Sequence, residues 1–154
     1  MKMIDNVIQL SYDDVQELTS RLAEQVKALD PDLIVGITRG GLVPAVELSH
    51  KLGVPMDTVN WQTRDGSYKE HKLSIKDAIL NSKTVVFVDD INDTGLTMKH
   101  MMHVYGWNIC DSPNVYFATL IEKCSSSERA HCVGLRIDDS RWVVFPYEND
   151  GEVK

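Results

Sequence analysis

Three unbroken apolar runs restrict the architecture more than any other feature of the chain. LIVGI (33–37), TVVFV (84–88) and the VYFATLI within the strand read over NVYFATLIEK (114–123) lack the apolar–polar alternation of a strand with one wet face. Each is therefore expected in a sheet covered on both sides. Helical periodicity separates them. SYDDVQELTSRLAEQVKALDP spaces Val15, Leu18, Leu22, Val26 and Leu29 along one helix face, with Ser11 as N-cap, Asp13 and Asp14 in the dipole-favoured first turn, and Pro31 at the end. VPAVELSHKLG reads as a second helix that stops near Gly53, and residues 95–105 as a third. Strands and helices in alternation mean βαβ crossovers, hence an α/β fold around a mostly parallel sheet. Shorter strands are expected at 7–10, 55–61, 132–137 and 142–145. Thr63 to Lys72, polar and densely charged, reads as a long mobile loop, Ser125 to Ser127 as a turn, and 149–154 as a frayed polar tail. Neither a repeat nor a linker interrupts the chain, so 1–154 is read as a single domain.

Composition narrows the function. With 43% hydrophobic and 25% charged residues, the 154-residue chain can build a real core. Its 16 Lys+Arg against 23 Asp+Glu give a net charge of -7, which argues against a nucleic-acid binder. A small anionic ligand stays possible, because backbone N–H groups and a divalent cation can hold phosphates without many lysines. Cys110, Cys124 and Cys132 form neither a disulfide framework nor a metal pattern and read as ordinary thiols in a reducing compartment. MKMIDN brings a charge at Asp5 before any signal-peptide core, and no apolar run approaches the ~20 residues of a membrane helix. The expectation is a soluble, cytoplasmic protein with no membrane insertion.

The chemistry concentrates where the second apolar run ends. TVVFVDDINDTGLT (84–97) passes from buried strand into Asp89 and Asp90, then Asp93, Thr94, Gly95, Leu96 and Thr97. In an open α/β sheet, ligands bind beyond the carboxyl ends of the strands. A tight glycine turn with two hydroxyls at a helix N-terminus presents donors to a phosphate. The acid pair suits hydroxyl groups or a hydrated cation. A sugar phosphate needs both at once. Rival motifs fail by counting: an EF-hand loop begun at Asp90 puts Met101 where a glutamate belongs, Gly36 and Gly41 have Walker A spacing but Leu42 follows, and no G-x-G-x-x-G occurs. The bland alternative is a solvated acidic turn.

VVFVDDINDTGLT resembles the phosphoribosyl-diphosphate (PRPP) signature of the type I phosphoribosyltransferases. GITRGGLVPAVEL (36–48) is similar to the pyrophosphate loop and following helix of the xanthine–guanine phosphoribosyltransferases. The resemblance runs from the first helix to about Glu148. It implies a central mostly parallel sheet flanked by helices, with a small hood formed by N- and C-terminal segments. It also implies Mg2+ as cofactor, PRPP and a purine base as partners, and a homodimer or homotetramer. By resemblance, Asp93, Thr94, Gly95, Leu96 and Thr97 bind the 5-phosphate, with Leu96 standing where close relatives often carry glycine. Asp89 and Asp90 bind the ribose hydroxyls, Asp90 also placing Mg2+, and Asp93 takes a proton at the purine. Thr38, Arg39, Gly40 and Gly41 cradle pyrophosphate, helped by Lys69 or Lys72 from the loop. Lys123 reads a 6-oxo group, Trp142 stacks on the base with Val143 backbone at its edge, and Glu148 is a possible metal ligand. For Trp142 the bland alternative is a core aromatic, and for either loop lysine a solvated surface charge. The expected activity is transfer of the 5-phosphoribosyl group to guanine, xanthine or hypoxanthine in purine salvage. Transfer to a pyrimidine, or a non-catalytic PRPP- or nucleotide-sensing module, stand as alternatives.

Overall fold

A computed structural model describes residues 1–62, 68–105, 114–138 and 140–148. In chain order the elements are β1 (Lys2–Ile4), β2 (Val7–Gln9), α1 (Tyr12–Lys27), β3 (Leu33–Thr38), α2 (Leu42–Leu52), β4 (Met56–Gln62), β5 (Tyr68–Lys69), α3 (Leu73–Leu80), β6 (Val85–Asn92), α4 (Leu96–Tyr105), β7 (Val115–Lys123), β8 (Cys132–Ile137) and β9 (Trp142–Val144). The main sheet has the order β5-β4-β3-β6-β7-β8. β4, β3, β6, β7 and β8 run parallel, and β5 adds an antiparallel edge.

The apolar runs are buried on both faces, as their composition requires. Val86 and Val88 join Leu22, Val26, Ile34, Ala45 and Leu48 in one core, under α1 and α2. Val85 and Phe87 point the other way, among Met98 and Met101 of α4 and Ile75 of α3. Burying each such side chain contributes roughly 1.5–3 kcal/mol. α1 opens with a capping box: Asp14 N–H donates to Ser11 Oγ at 3.1 Å, and Ser11 N–H donates to the Asp14 carboxylate at 2.8 Å. The Met1 amino group lies 2.7 Å from the same carboxylate and, with those hydrogen bonds, holds it down at about 2. α2 stops at Gly53, whose φ of 64° supplies the left-handed turn.

A second, three-stranded sheet joins the two ends of the chain in the order β1-β2-β9. β9 lies parallel to β2, with Val7 opposite Trp142 and Ile8 opposite Val143. This is the expected hood.

The structure differs from the sequence reading in four places. β1 has no counterpart there; its three residues are all exposed, so no burial pattern marks it. α3 has no counterpart either, because only Ile75 is buried while Leu73 and Leu80 are 74% and 77% exposed, leaving no apolar stripe to read. The segment expected to be one long loop carries β5, which pairs Trp61 with Lys69, and its residues 63–67 lie outside the described residues. Finally, β6 continues through the acid pair to Asn92, because β7 runs on beside it and pairs Ile91 with Ile121 and Asn92 with Glu122. Cys110 and the tail 149–154 lie outside the described residues. Among the described residues no helix is long and apolar enough to cross a membrane.

Candidate active-site cleft

β3 and β6 are neighbours in the middle of the sheet, and each feeds a helix from its carboxyl end. Their two turns therefore face one another. Between them opens a cleft of about 1010 Å³, lined by Thr38, Arg39, Gly40, Asp89, Asp90, Asp93, Thr94, Gly95, Leu96, Thr97, Trp142 and Glu148. Trp61, Phe117 and Tyr147 also stand in its wall, together with Ile37, Leu42, Val43, Ile91 and Asn92. A second cavity of about 670 Å³, by the ends of α1 and α2, gathers none of these residues.

The first turn leaves β3 through a cis peptide bond between Thr38 and Arg39. Thr38 Oγ1 donates to Asn60 Oδ1 at 3.0 Å, tying the strand end to β4. Gly40 has to be glycine for a local reason: a Cβ there would fall 1.8 Å from Asp90 Oδ2. At Gly41 a Cβ would come within 2.2 Å of the Val88 carbonyl, so this residue seats the start of α2 on β6 and does not line the cleft.

The second turn enters α4. Gly95 takes φ +89°, and a helix N-terminus leaves its first N–H groups without intrahelical partners. Leu96 N–H donates to Thr94 Oγ1 at 3.2 Å. The Thr94 carbonyl accepts from Ser127 N–H at 3.0 Å and Ser127 Oγ at 2.9 Å. Loop N–H groups, α4's positive end and two threonine hydroxyls together make an anion cup.

The acids form the floor. Burial and the Asp90 charge push the Asp89 carboxyl up, and burial together with Glu148 pushes Asp90 up to about 6. The Tyr147 hydroxyl donates to Asp90 Oδ2 at 3.3 Å, and burial raises that phenol as well. Such a site favours anything that neutralises its carboxylates, a proton or a cation. Among the described residues no three His, Cys, Asp or Glu side chains are disposed to hold a metal by themselves.

Lys123, Lys69 and Val143 are not among the lining residues. Lys123, nearly buried, sets its ammonium 3.1 Å from Asp93 Oδ1 and so meets the cleft through that carboxylate. Lys69 Nζ lies 5.7 Å from the centroid of the Trp61 ring, on a residue of the wall. Val143 is 5% exposed, a core residue of the hood. Lys72, the other candidate of the loop, is paired with Asp57 at 2.7 Å. Trp61, Phe117 and Tyr147 are lining residues that sequence reasoning missed. Tyr147 left a trace, standing between Pro146 and Glu148 just after a short strand; the other two look like ordinary strand aromatics.

Comparison with known proteins places this geometry. Residues 4–150 match the phosphoribosyl transferase domain family. The chain is 26% identical over 149 residues to a xanthine-guanine phosphoribosyltransferase of Cereibacter sphaeroides, covering 90% of this chain and 85% of that one. It superposes on a purine phosphoribosyltransferase from Pyrococcus horikoshii with a TM-score of 0.75 and 29% identity, covering 97% of this chain and 99% of that one. A xanthine-guanine-hypoxanthine phosphoribosyltransferase of Helicobacter pylori shares the fold, with a TM-score of 0.68 and 22% identity over 92% and 93% of the two chains.

Proposed function

The chain belongs to the phosphoribosyl transferase domain family, and we propose that it transfers the 5-phosphoribosyl group of PRPP to a 6-oxopurine, releasing pyrophosphate. The observation that carries this reading is the convergence, in one cleft, of an arginine–glycine corner, an acid pair, a phosphate-type turn and an exposed aromatic. A phosphorylated sugar with a pyrophosphate at C1 has a part for each. The turn Asp93 to Thr97 takes the 5-phosphate. Asp89 and Asp90 take the ribose hydroxyls, and Thr38, Arg39 and Gly40 take the pyrophosphate. Trp142, 44% exposed at the cleft, stacks on the base.

In the reaction the C1–O bond to pyrophosphate breaks and a C1–N bond to the purine forms, through a ribose centre with oxocarbenium character. Arg39 stabilises the charge that accumulates on the leaving group. The purine nitrogen gives up its proton to the Asp93 carboxylate, which faces the cleft. Lys123, held on Asp93 at the edge of the site, would have to turn from that carboxylate to reach the base; there it could donate to a 6-oxo oxygen and has no acceptor to offer a 6-amino group. The residues fit Mg2+: Asp90 is a buried acid crowded by Asp89 and Glu148, a charge that a cation would relieve, and Mg2+ prefers one or two carboxylates plus substrate oxygens to an all-protein cage. When bound, that cation offsets the charge of the pyrophosphate.

The test is a panel assay of pyrophosphate release from PRPP and Mg2+ with guanine, xanthine, hypoxanthine, adenine, uracil and orotate. Turnover is expected with one or more of the first three. Turnover only with uracil or orotate would move the acceptor to a pyrimidine. PRPP binding without release from any base would make the protein a sensor.

A further inference from the structure

Glu122 is a fully buried carboxylate that none of the roles above employs. It sits on β7 directly opposite Asn92, the last residue of β6. Four donors reach it: Ala130 N–H at 2.7 Å, Asn92 Nδ2 at 2.9 Å, Arg136 Nε at 3.0 Å and Arg129 Nη1 at 3.4 Å. Burial pushes its carboxyl up, but those donors outweigh burial and hold it below the usual glutamate range. A charge taken this far from water is retained only where it is fully paired.

What the carboxylate organises is the connection 124–131, which returns the chain from the end of β7 to the start of β8 without a helix. Ala130 pins one end of that connection to Glu122. Asn92 pins its middle, donating from Nδ2 to the Glu128 carbonyl at 2.7 Å and accepting from Ser126 Oγ at 3.2 Å. The serine turn so fixed lies flush against the phosphate-type turn. A Cβ on Gly95 would fall 2.7 Å from Glu128 N, 2.8 Å from Ser127 Oγ and 2.9 Å from Ser126 Oγ. From this position Ser127 supplies both donors to the Thr94 carbonyl. A carbonyl oxygen left free to turn into the cup would repel an anion there.

We propose that Glu122, Asn92 and Ser127 are positioning residues for phosphate recognition: the paired carboxylate sets the serine turn, and Ser127 turns the Thr94 carbonyl away, so that the 93–97 turn is shaped for a phosphate monoester before one arrives. This rests on the assignment of that turn to the 5-phosphate. It goes further in naming Glu122 and Ser127, which do not line the cleft, and Asn92, which does, as residues that set its affinity, and in separating that affinity from pyrophosphate binding.

Calorimetric titration of the intact protein with ribose 5-phosphate and, separately, with pyrophosphate tests it, alongside steady-state kinetics. Ser127→Ala removes one of two donors from an exposed side chain. It is expected to weaken ribose 5-phosphate by about fivefold and raise the KM for PRPP similarly, with kcat and pyrophosphate affinity within about twofold. Ser127→Thr restores the hydroxyl and is expected to bind like the parent. Glu122→Gln loses the charge at the base of the brace and is expected to weaken ribose 5-phosphate by about tenfold or more. Unchanged ribose 5-phosphate affinity in Ser127→Ala would overturn the proposal, as would an equal loss for both ligands, which marks general damage. Should Glu122→Gln fail to fold, Ser127→Ala against Ser127→Thr still decides. A parent protein that binds pyrophosphate but not ribose 5-phosphate would instead overturn the phosphate assignment itself, and the brace with it.

Discussion

The two turns that face each other across the cleft solve the same problem by different means. Both leave a central parallel strand, both enter a helix, and both depend on glycine. The turn at 38–41 is shaped by charge and close packing: Gly40 makes room for the Asp90 carboxylate, Gly41 lies against the Val88 carbonyl, and no side chain caps α2. The turn at 93–97 is held from neighbouring segments, with the Ser127 hydrogen bonds on Thr94, the Lys123 ion pair on Asp93, and Gly95 in the left-handed region. The first shares its space with the acid pair. On the proposal above, the second is built before its ligand arrives. On that assignment one takes the leaving group and the other the phosphate that stays in place.

That contrast can be broken at several points. If the 93–97 turn also carries the proton acceptor while the 38–41 turn only binds, Asp93→Asn removes chemistry and not substrate. Its kcat is expected to fall about 10²–10⁴-fold with the KM for PRPP little changed, read from pyrophosphate release. Full turnover by the folded variant would take Asp93 out of the reaction. Gly40→Ala should displace the buried Asp90 carboxylate and misplace the ribose, with a loss of about 10²-fold in kcat/KM and an overpacking cost of about 1–3 kcal/mol. A fully active Gly40→Ala would mean that the close approach to Asp90 is not needed. Gly95→Ala is expected to act on the fold as well, costing about 1–3 kcal/mol in chemical denaturation, because φ +89° and the serine turn both oppose a side chain.

The smallest effect concerns pH. Glu122 is held below its ordinary value of about 4.5, so its folded carboxyl loses its proton more readily than the unfolded one. Its stabilisation is then complete above about pH 4.5 and disappears as pH falls through the lower, folded value. The stability gap between the parent and Glu122→Gln, measured by denaturant unfolding, should stay level from pH 7 to 5 and narrow below that. A gap that widens in acid would contradict the paired-carboxylate description.

Much of this fold was legible because its strands are buried on both faces. LIVGI, TVVFV and VYFATLI carry no alternation, and the structure sends Val86 and Val88 into one core and Val85 and Phe87 into the other. α1 was legible because a capping serine, acids in the first turn and a regular apolar stripe all agree. α3 was not, since a helix that buries little beyond Ile75 has no stripe. At the cleft, residues adjacent in sequence were found together because turns after central strands leave them little choice. Residues brought in by tertiary structure were harder. Tyr147 arrives through the hood, and Glu122 looks like an ordinary strand residue until Arg129, Arg136, Asn92 and the Ala130 N–H are seen around it. Lys69, Lys123 and Val143, implied by the resemblance, are not among the lining residues: Lys69 lies over the Trp61 ring, Lys123 is paired with Asp93, and the Val143 side chain is packed in the hood.

The central claim is that the turn after β6 holds the phosphate of a phosphoribosyl group while the acids beside it face the sugar. Crystals of the protein grown with guanosine 5′-monophosphate test it most directly. The account predicts the phosphate on the backbone of Thr94 to Thr97, the ribose hydroxyls at Asp89 and Asp90, and the purine against Trp142. A nucleotide bound with its phosphate at Arg39, or outside the cleft altogether, would contradict it.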